Sequence, residues 1–172
     1  DTDAGGGDGD TIAFHIGDAA GAGTTEMILR KNSYGTARLE FPDAFTNTFI
    51  GDKTGEHNSI GFDNTAIGNQ AMHNNAGGNS NTVVGAHALF TNATGFGNVA
   101  NGVYALYKNK HGNYQVAVGQ GALYSAYIAT DNVAIGKNAL YSDSTGSHNV
   151  AIGSSALYSN VTNDDLVAVG DS

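Results

Sequence analysis

At 172 residues the chain has the length of one domain, but 25 Gly, one Pro and 13% charged residues are an odd balance for an ordinary globular unit, and 40% hydrophobic residues exclude disorder by composition. Seven Lys and Arg against sixteen Asp and Glu give a net charge of -9 with no basic patch, Arg30, Lys31 and Arg38 being the only basic residues before Lys53, which excludes nucleic acid as a partner. With no Cys there are no disulfides or thiolate metal sites, and neither a bilayer-spanning apolar run nor a signal-peptide pattern is seen, so membrane insertion is not expected.

The first ten residues place Asp1, Asp3, Asp8 and Asp10 in a Gly-rich stretch. Oxygen-rich flexible loops suit Ca2+, and Gly6-Gly7-Asp8-Gly9-Asp10-Thr11-Ile12 falls one residue short of a calcium-binding nonapeptide. The four Asp are therefore the candidate calcium ligands. The plainer reading is a solvated terminus, because such motifs work in tandem and this one occurs once. No other cofactor is expected. Further on, Phe14-His15-Ile16-Gly17-Asp18 echoes an apolar tract closed by Gly, and the segments 26–30 and 37–41 read as strands joined by the turn Asn32-Ser33-Tyr34-Gly35. Residues 1–46 lack the period of the rest of the chain, and their expected role is an irregular β cap over the open strand edges of a repeat array.

From residue 47 to residue 172 the chain reads as eight in-phase repeats. Gly51, Gly68, Gly85, Gly102, Gly119, Gly136, Gly153 and Gly170 recur at a constant interval of seventeen, without insertion or deletion. Each closes a short tract such as Thr65-Ala66-Ile67 or Val133-Ala134-Ile135, Asn101 being the one polar residue just before a Gly. Three residues after the Gly comes Ala in six repeats (Ala71 to Ala156), then Met72 or Leu, then His73, Phe90, Tyr107, Tyr124, Tyr141 and Tyr158. Four residues before the Gly stand Asn47, Asn64, Asn81, Asn98, Asn132 and Asn149, with Gln115 and Leu166 as exceptions. Gly61, Gly78, Gly95, Gly112 and Gly146 recur at the tenth place among turn-forming residues.

Seventeen residues are too few for a helical hairpin, and Gly-bounded β-branched tracts read as strands of about four residues, two strands and two turns to a unit. One unit cannot bury its apolar face alone, so the units must stack with parallel pairing between coils. The fold class is all-β, a parallel β-solenoid (β-roll) of 17-residue coils. With coils about 4.8 Å apart, the seven steps from Gly51 to Gly170 rise roughly 34 Å. Alternation sends Val133 and Ile135 one way and Ala134 the other; the bulky residues are expected inside and the Ala column outside, where it would let another copy approach closely. The Asn column is expected to form a hydrogen-bonded ladder in the bend.

The six histidines, His15, His57, His73, His87, His111 and His148, fall at different places in the repeat, so no column gathers them and a histidine metal site is not expected. The Gly-rich stretches lack the Lys of a phosphate-binding loop, and the few acids of the repeats, such as Asp131, Asp143, Asp164 and Asp165, do not fall together at one place as a flanking hydrolytic carboxylate pair, so the chain is not expected to be an enzyme. Tyr107, Tyr124, Tyr141 and Tyr158 are the candidate ligand-binding residues: an exposed row of rings suits sugar faces. The alternative is a packing ladder inside the coil or between subunits.

The unit Asn132-Val133-Ala134-Ile135-Gly136 followed by Ala139-Leu140-Tyr141-Ser142, repeated from Asn149 to Ser159, resembles the head repeats of YadA-like trimeric autotransporter adhesins. It is more similar still to repeats in phage tail fibres and in bacterial surface proteins that carry a self-cleaving C-terminal chaperone. The resemblance spans about Asn47 to Ser172. It implies a left-handed β-roll, three chains side by side, forming the rigid head or shaft of an extracellular, cell-surface or virion fibre that contacts host glycans or proteins. Two other functions fit the sequence: a subunit packed head to tail in a self-assembling extracellular filament, and a non-catalytic carbohydrate-binding protein using the tyrosine strip.

Overall fold

A short apolar tract closed by Gly recurs at every seventeenth position, and in the structure, a computed structural model, each tract is one strand of a single parallel sheet. The structure describes residues 11–16, 25–31, 37–40 and 46–171. The calcium candidates Asp1, Asp3, Asp8 and Asp10 and the turn at Asn32 to Gly35 lie outside the described residues. The chain divides into a unit ending at Asn47 and a unit beginning at Thr48. In the first, β1 (Thr11–Ile16), β2 (Thr25–Lys31) and β3 (Ala37–Glu40) form an antiparallel sheet in the order β1-β2-β3, so the two strands expected near residues 26–30 and 37–41 are present and paired.

The second unit is the β-solenoid. Its main sheet joins β4 (Thr48–Ile50), β5 (Thr65–Ile67), β7 (Thr82–Val84), β9 (Val99–Asn101), β10 (Val116–Val118), β11 (Val133–Ile135), β12 (Val150–Ile152) and β13 (Val167–Val169) in chain order, each residue paired with its equivalent in the next coil. Among the described residues a second strand forms in two coils only, as β6 (Asn74–Asn75) beside β8 (Thr91–Asn92), so the expected two strands to a unit reduce to one in most coils. Elsewhere the turns themselves are bonded coil to coil, as in Leu123 N–H to the Ala139 carbonyl at 3.0 Å. The strands stop where they do because Gly51 and its equivalents follow with φ between 127° and 144°, and a side chain at Gly136 would press on the Gly153 carbonyl.

The two faces of the strand are the reverse of the sequence expectation. Ala66, Ala100, Ala117, Ala134 and Ala151 are fully buried, whereas Ile50, Ile67, Val84, Ile135 and Ile152 point outward and are each about two-fifths exposed. The reason is the thinness of the interior. Met72, Leu89, Leu106, Leu123 and Leu140 fill it from the neighbouring turn, every one fully buried, and leave room for a small side chain from the strand, Ala in most coils and Val83 in one. These residues adopt φ of 48° to 53°, a left-handed conformation that costs a Leu roughly 1 kcal/mol and is held by the packing around it.

The first coil exchanges large and small. Phe49 replaces the strand Ala, Gly55 (φ 61°) replaces the left-handed Leu, and the Phe49 ring occupies the space where a Gly55 side chain would stand. Phe49→Ala is expected to lower the unfolding free energy by about 2–4 kcal/mol, and Gly55→Leu by about 1–3 kcal/mol. The double variant rebuilds the pattern of later coils, so urea titrations should show a compensating coupling of at least about 1 kcal/mol. Additive losses would mean that the two positions do not share one space.

Candidate functional site

The aromatic column forms an unbroken stack on the outside of the coil. From His73 through Phe90, Tyr107, Tyr124 and Tyr141 to Tyr158, successive ring centroids lie 4.8–5.2 Å apart with planes within 17° of parallel. The coil spacing of a parallel sheet is itself the spacing of stacked rings, so the ladder follows from the backbone. The faces of the inner rings are covered by one another, the packing ladder that is the alternative reading of this column, so the strip offers ring edges and hydroxyls. Burial raises the Tyr124 phenol above its ordinary pKa, followed by the neighbouring phenols of Tyr141, Tyr107 and Tyr104, so its hydroxyl stays neutral.

A parallel row two residues after the column Gly carries His87 stacked on Tyr104 (5.2 Å, 9°) and then stops at Gly121. The missing side chain opens a shallow groove of about 230 Å³ lined by Tyr104, Gln120, Gly121, Tyr124, Asn138, Tyr141 and Tyr158. Three of the four candidate tyrosines thus meet two side-chain amides there, while Tyr107 lies in the stack against Tyr124. The groove can exchange hydrogen bonds with a hydroxyl-rich ligand.

The expected Asn ladder is present. Asn64 Oδ1 accepts the backbone N–H and the Nδ2 of Asn81, both at 3.0 Å, and Asn81 Oδ1 accepts the same groups of Asn98 at 2.9 and 3.0 Å. Asn132 Oδ1 accepts the Asn149 N–H at 2.8 Å, and Asn149 Oδ1 the Leu166 N–H at 2.9 Å, so the ladder bridges even a coil whose own residue is apolar. A second buried amide column, not anticipated from the sequence, runs through Asn75, Asn92 and Asn109. Its signal is the in-phase recurrence of Asn58, Asn75, Asn92, Asn109 and Asn160. Both columns converge on the tenth-place glycines: the Gly78 carbonyl accepts Asn64 Nδ2 and Asn75 Nδ2, each at 2.9 Å. A Cβ at Gly78 or Gly95 would strike these amides, and Ala129 takes the place of Gly where Ala126 takes the place of the Asn.

Adjacent coils also bring histidines together, contrary to expectation. Glu56, His57 and His73 each present a ligand atom within 4.8 Å of the others. His73 Nε2 lies 2.7 Å from Glu56 Oε2, and the His57 and His73 ring centroids are 4.7 Å apart. No single column holds the histidines; neighbouring positions on neighbouring coils do. The legible signal is that Glu56 and His73 are separated by one full repeat, as are His57 and Asn74.

No protein-family model, no curated protein and no solved structure matches the chain.

Asp143 stands in the second amide column, fully buried, where Asn is the rule. Its Oδ1 accepts the Gly146 N–H at 2.8 Å, but a carboxylate cannot donate to the Gly146 carbonyl as Asn109 Nδ2 does to that of Gly112 at 3.0 Å. Burial pushes its pKa from 3.8 up to about 6, against the lowering effect of the bonds from Gly146 and Asn149. Because the folded value lies above the ordinary one, its contribution is present in full below about 3.8 and lost as pH rises through about 6. Asp143→Asn is expected to stabilise the protein at neutral pH by about 1–3 kcal/mol and to flatten the fall in Tm between roughly pH 4 and pH 7. Thermal melts across that range test it; a variant with an unchanged pH profile would place the titration elsewhere.

Proposed function

We propose that the chain is a structural and adhesive fibre module, the head or shaft of an extracellular or virion fibre, in which copies pack side by side as a homotrimer. It does no catalysis. The observation that carries this reading is the outward face of the main sheet. Two outward positions on each of its eight strands hold Thr, Val or Ile, except Asn101, and none is charged in a chain of net charge -9. Polar residues rim it on either side, among them Asp52, Gln120 and Lys137 before the turn and Asp63, Asp131 and Asp165 before the strand. An uncharged apolar face with a polar rim is the composition of a protein interface. The best match for a surface with a coil-spaced period is another copy with the same period. The tyrosine groove, with its hydroxyls and amides, supplies the contact to host-surface glycans.

Light scattering and negative-stain microscopy at several concentrations test the reading. Short rods of fixed mass are expected, three times the 17.5 kDa of one chain. The variant carrying Val133→Lys and Ile135→Lys, both on the outward face, should become monomeric with an unchanged circular dichroism spectrum. Growth into long filaments with concentration would favour head-to-tail assembly instead, and a monomeric unmodified chain would sink both.

A further inference from the structure

Glu56, His57 and His73 serve neither the sheet face nor the tyrosine groove. Glu56 and His73 occupy one position of two successive coils, and His57 and Asn74 the next position of the same two. The backbone fixes their register: the His57 N–H donates to the His73 carbonyl and the Asn74 N–H to the Phe90 carbonyl, both at 2.9 Å. The side chains therefore converge through the coil stack.

The rings are also oriented. His73 lies flat on Phe90, centroids 5.1 Å apart and planes 13° from parallel. Asn74 Oδ1 stands 3.1 Å from Nδ1 of His73 and 3.1 Å from Nδ1 of His57. An amide oxygen only accepts, so both rings turn an Nδ1–H toward it and keep the lone pair on Nε2, the arrangement in which a neighbouring group positions a metal-binding histidine. The Nε2 of His73 then faces the Glu56 carboxylate at 2.7 Å, and two acceptors at that distance require a cation between them. A proton serves that pair alone. A metal ion serves all three side chains, whose ligand atoms lie within 4.8 Å of one another.

We propose that Glu56, His57 and His73 bind one divalent ion of the zinc class, which clamps two successive coils together. Two imidazoles and one carboxylate are the donors of a borderline transition ion, whereas Ca2+ and Mg2+ take oxygen. Metal bonds of about 2.0–2.2 Å in tetrahedral geometry place ligand atoms roughly 3.3 Å apart, a spacing that rotations of the exposed Glu56 and His57 side chains supply. The fourth position is left to water.

The test uses the full chain stripped of metal by a chelator and titrated with Zn2+ by calorimetry and with Co2+ by visible absorption. One Zn2+ per chain, a tetrahedral Co2+ band, a Tm raised by Zn2+ and no competition from Ca2+ or Mg2+ are expected. His73→Phe keeps the ring stack, since Phe90 follows in that column, and His57→Ser takes a residue found at the same position as Ser125 and Ser142. Each should weaken Zn2+ by at least about tenfold and abolish the Tm rise, whereas His15→Ala and His111→Ala should change neither. Failure of the unmodified chain to bind Zn2+ stoichiometrically would overturn the proposal. So would binding and a Tm rise retained in both His73→Phe and His57→Ser.

Discussion

The main-chain hydrogen bonds between one coil and the next set the terms for everything else in the solenoid. They hold each residue against its equivalent one repeat away, through strands and turns alike. Side chains in a column are therefore about one strand spacing apart whatever their chemistry. A column must consist of groups that tolerate stacking on copies of themselves: methyls, leucines, aromatic rings, or amides that donate to one neighbour and accept from the other. An unpaired buried charge is the group that tolerates it least, and Asp143, fully buried in such a column, is the residue whose carboxyl is pushed up to about 6.

The period, the parallel stacking and the Asn ladder were legible because each depends on spacing alone. Which face of the strand is inner was not. Alternation of Val133, Ala134 and Ile135 defines two faces, but the choice between them rests on the thickness of the interior, which depends on how far Leu140 and its equivalents reach across. That reach is set by a left-handed φ at a Leu, a conformation that no helix or strand propensity suggests. Gly55 is the one hint, since Gly stands in the Leu column where Phe49 stands in the Ala column. The tyrosine column was legible as a column, but its function was not, because the faces that would meet a sugar are the faces that meet the next ring. The meeting of His57 and His73 is hidden for a related reason: it takes two adjacent columns, and recurrence within one column does not reveal it.

The same thinness links the fold to the proposed assembly. A core that takes one small side chain, mostly Ala, from each strand leaves two β-branched residues of most strands on the outside, where a lone chain exposes them to water. β-Branched residues still favour the extended backbone of the strand, so the sequence meets the local requirement at the cost of an apolar outer face. Under the proposed assembly, burial of that face against further copies would give each subunit the core volume that a 17-residue coil lacks.

Where a column keeps its residue, the surface repeats and can distinguish little along its length. Where a column breaks, the solenoid acquires a place unlike any other. Gly121 interrupts the His87 and Tyr104 row and opens the groove; Glu56 and His73 begin a column that is otherwise aromatic and bring a carboxylate to an imidazole. Ala126 and Ala129 break two columns at once and stay buried without a ligand atom between them, which shows that a break alone makes no site. A break becomes a candidate site when it leaves open space beside hydrogen-bonding groups, as at Gly121, or sets a carboxylate against an imidazole, as at Glu56 and His73. In a protein built by repetition, specific chemistry is to be sought at the exceptions, and the repeat supplies the rigid frame that holds them in register.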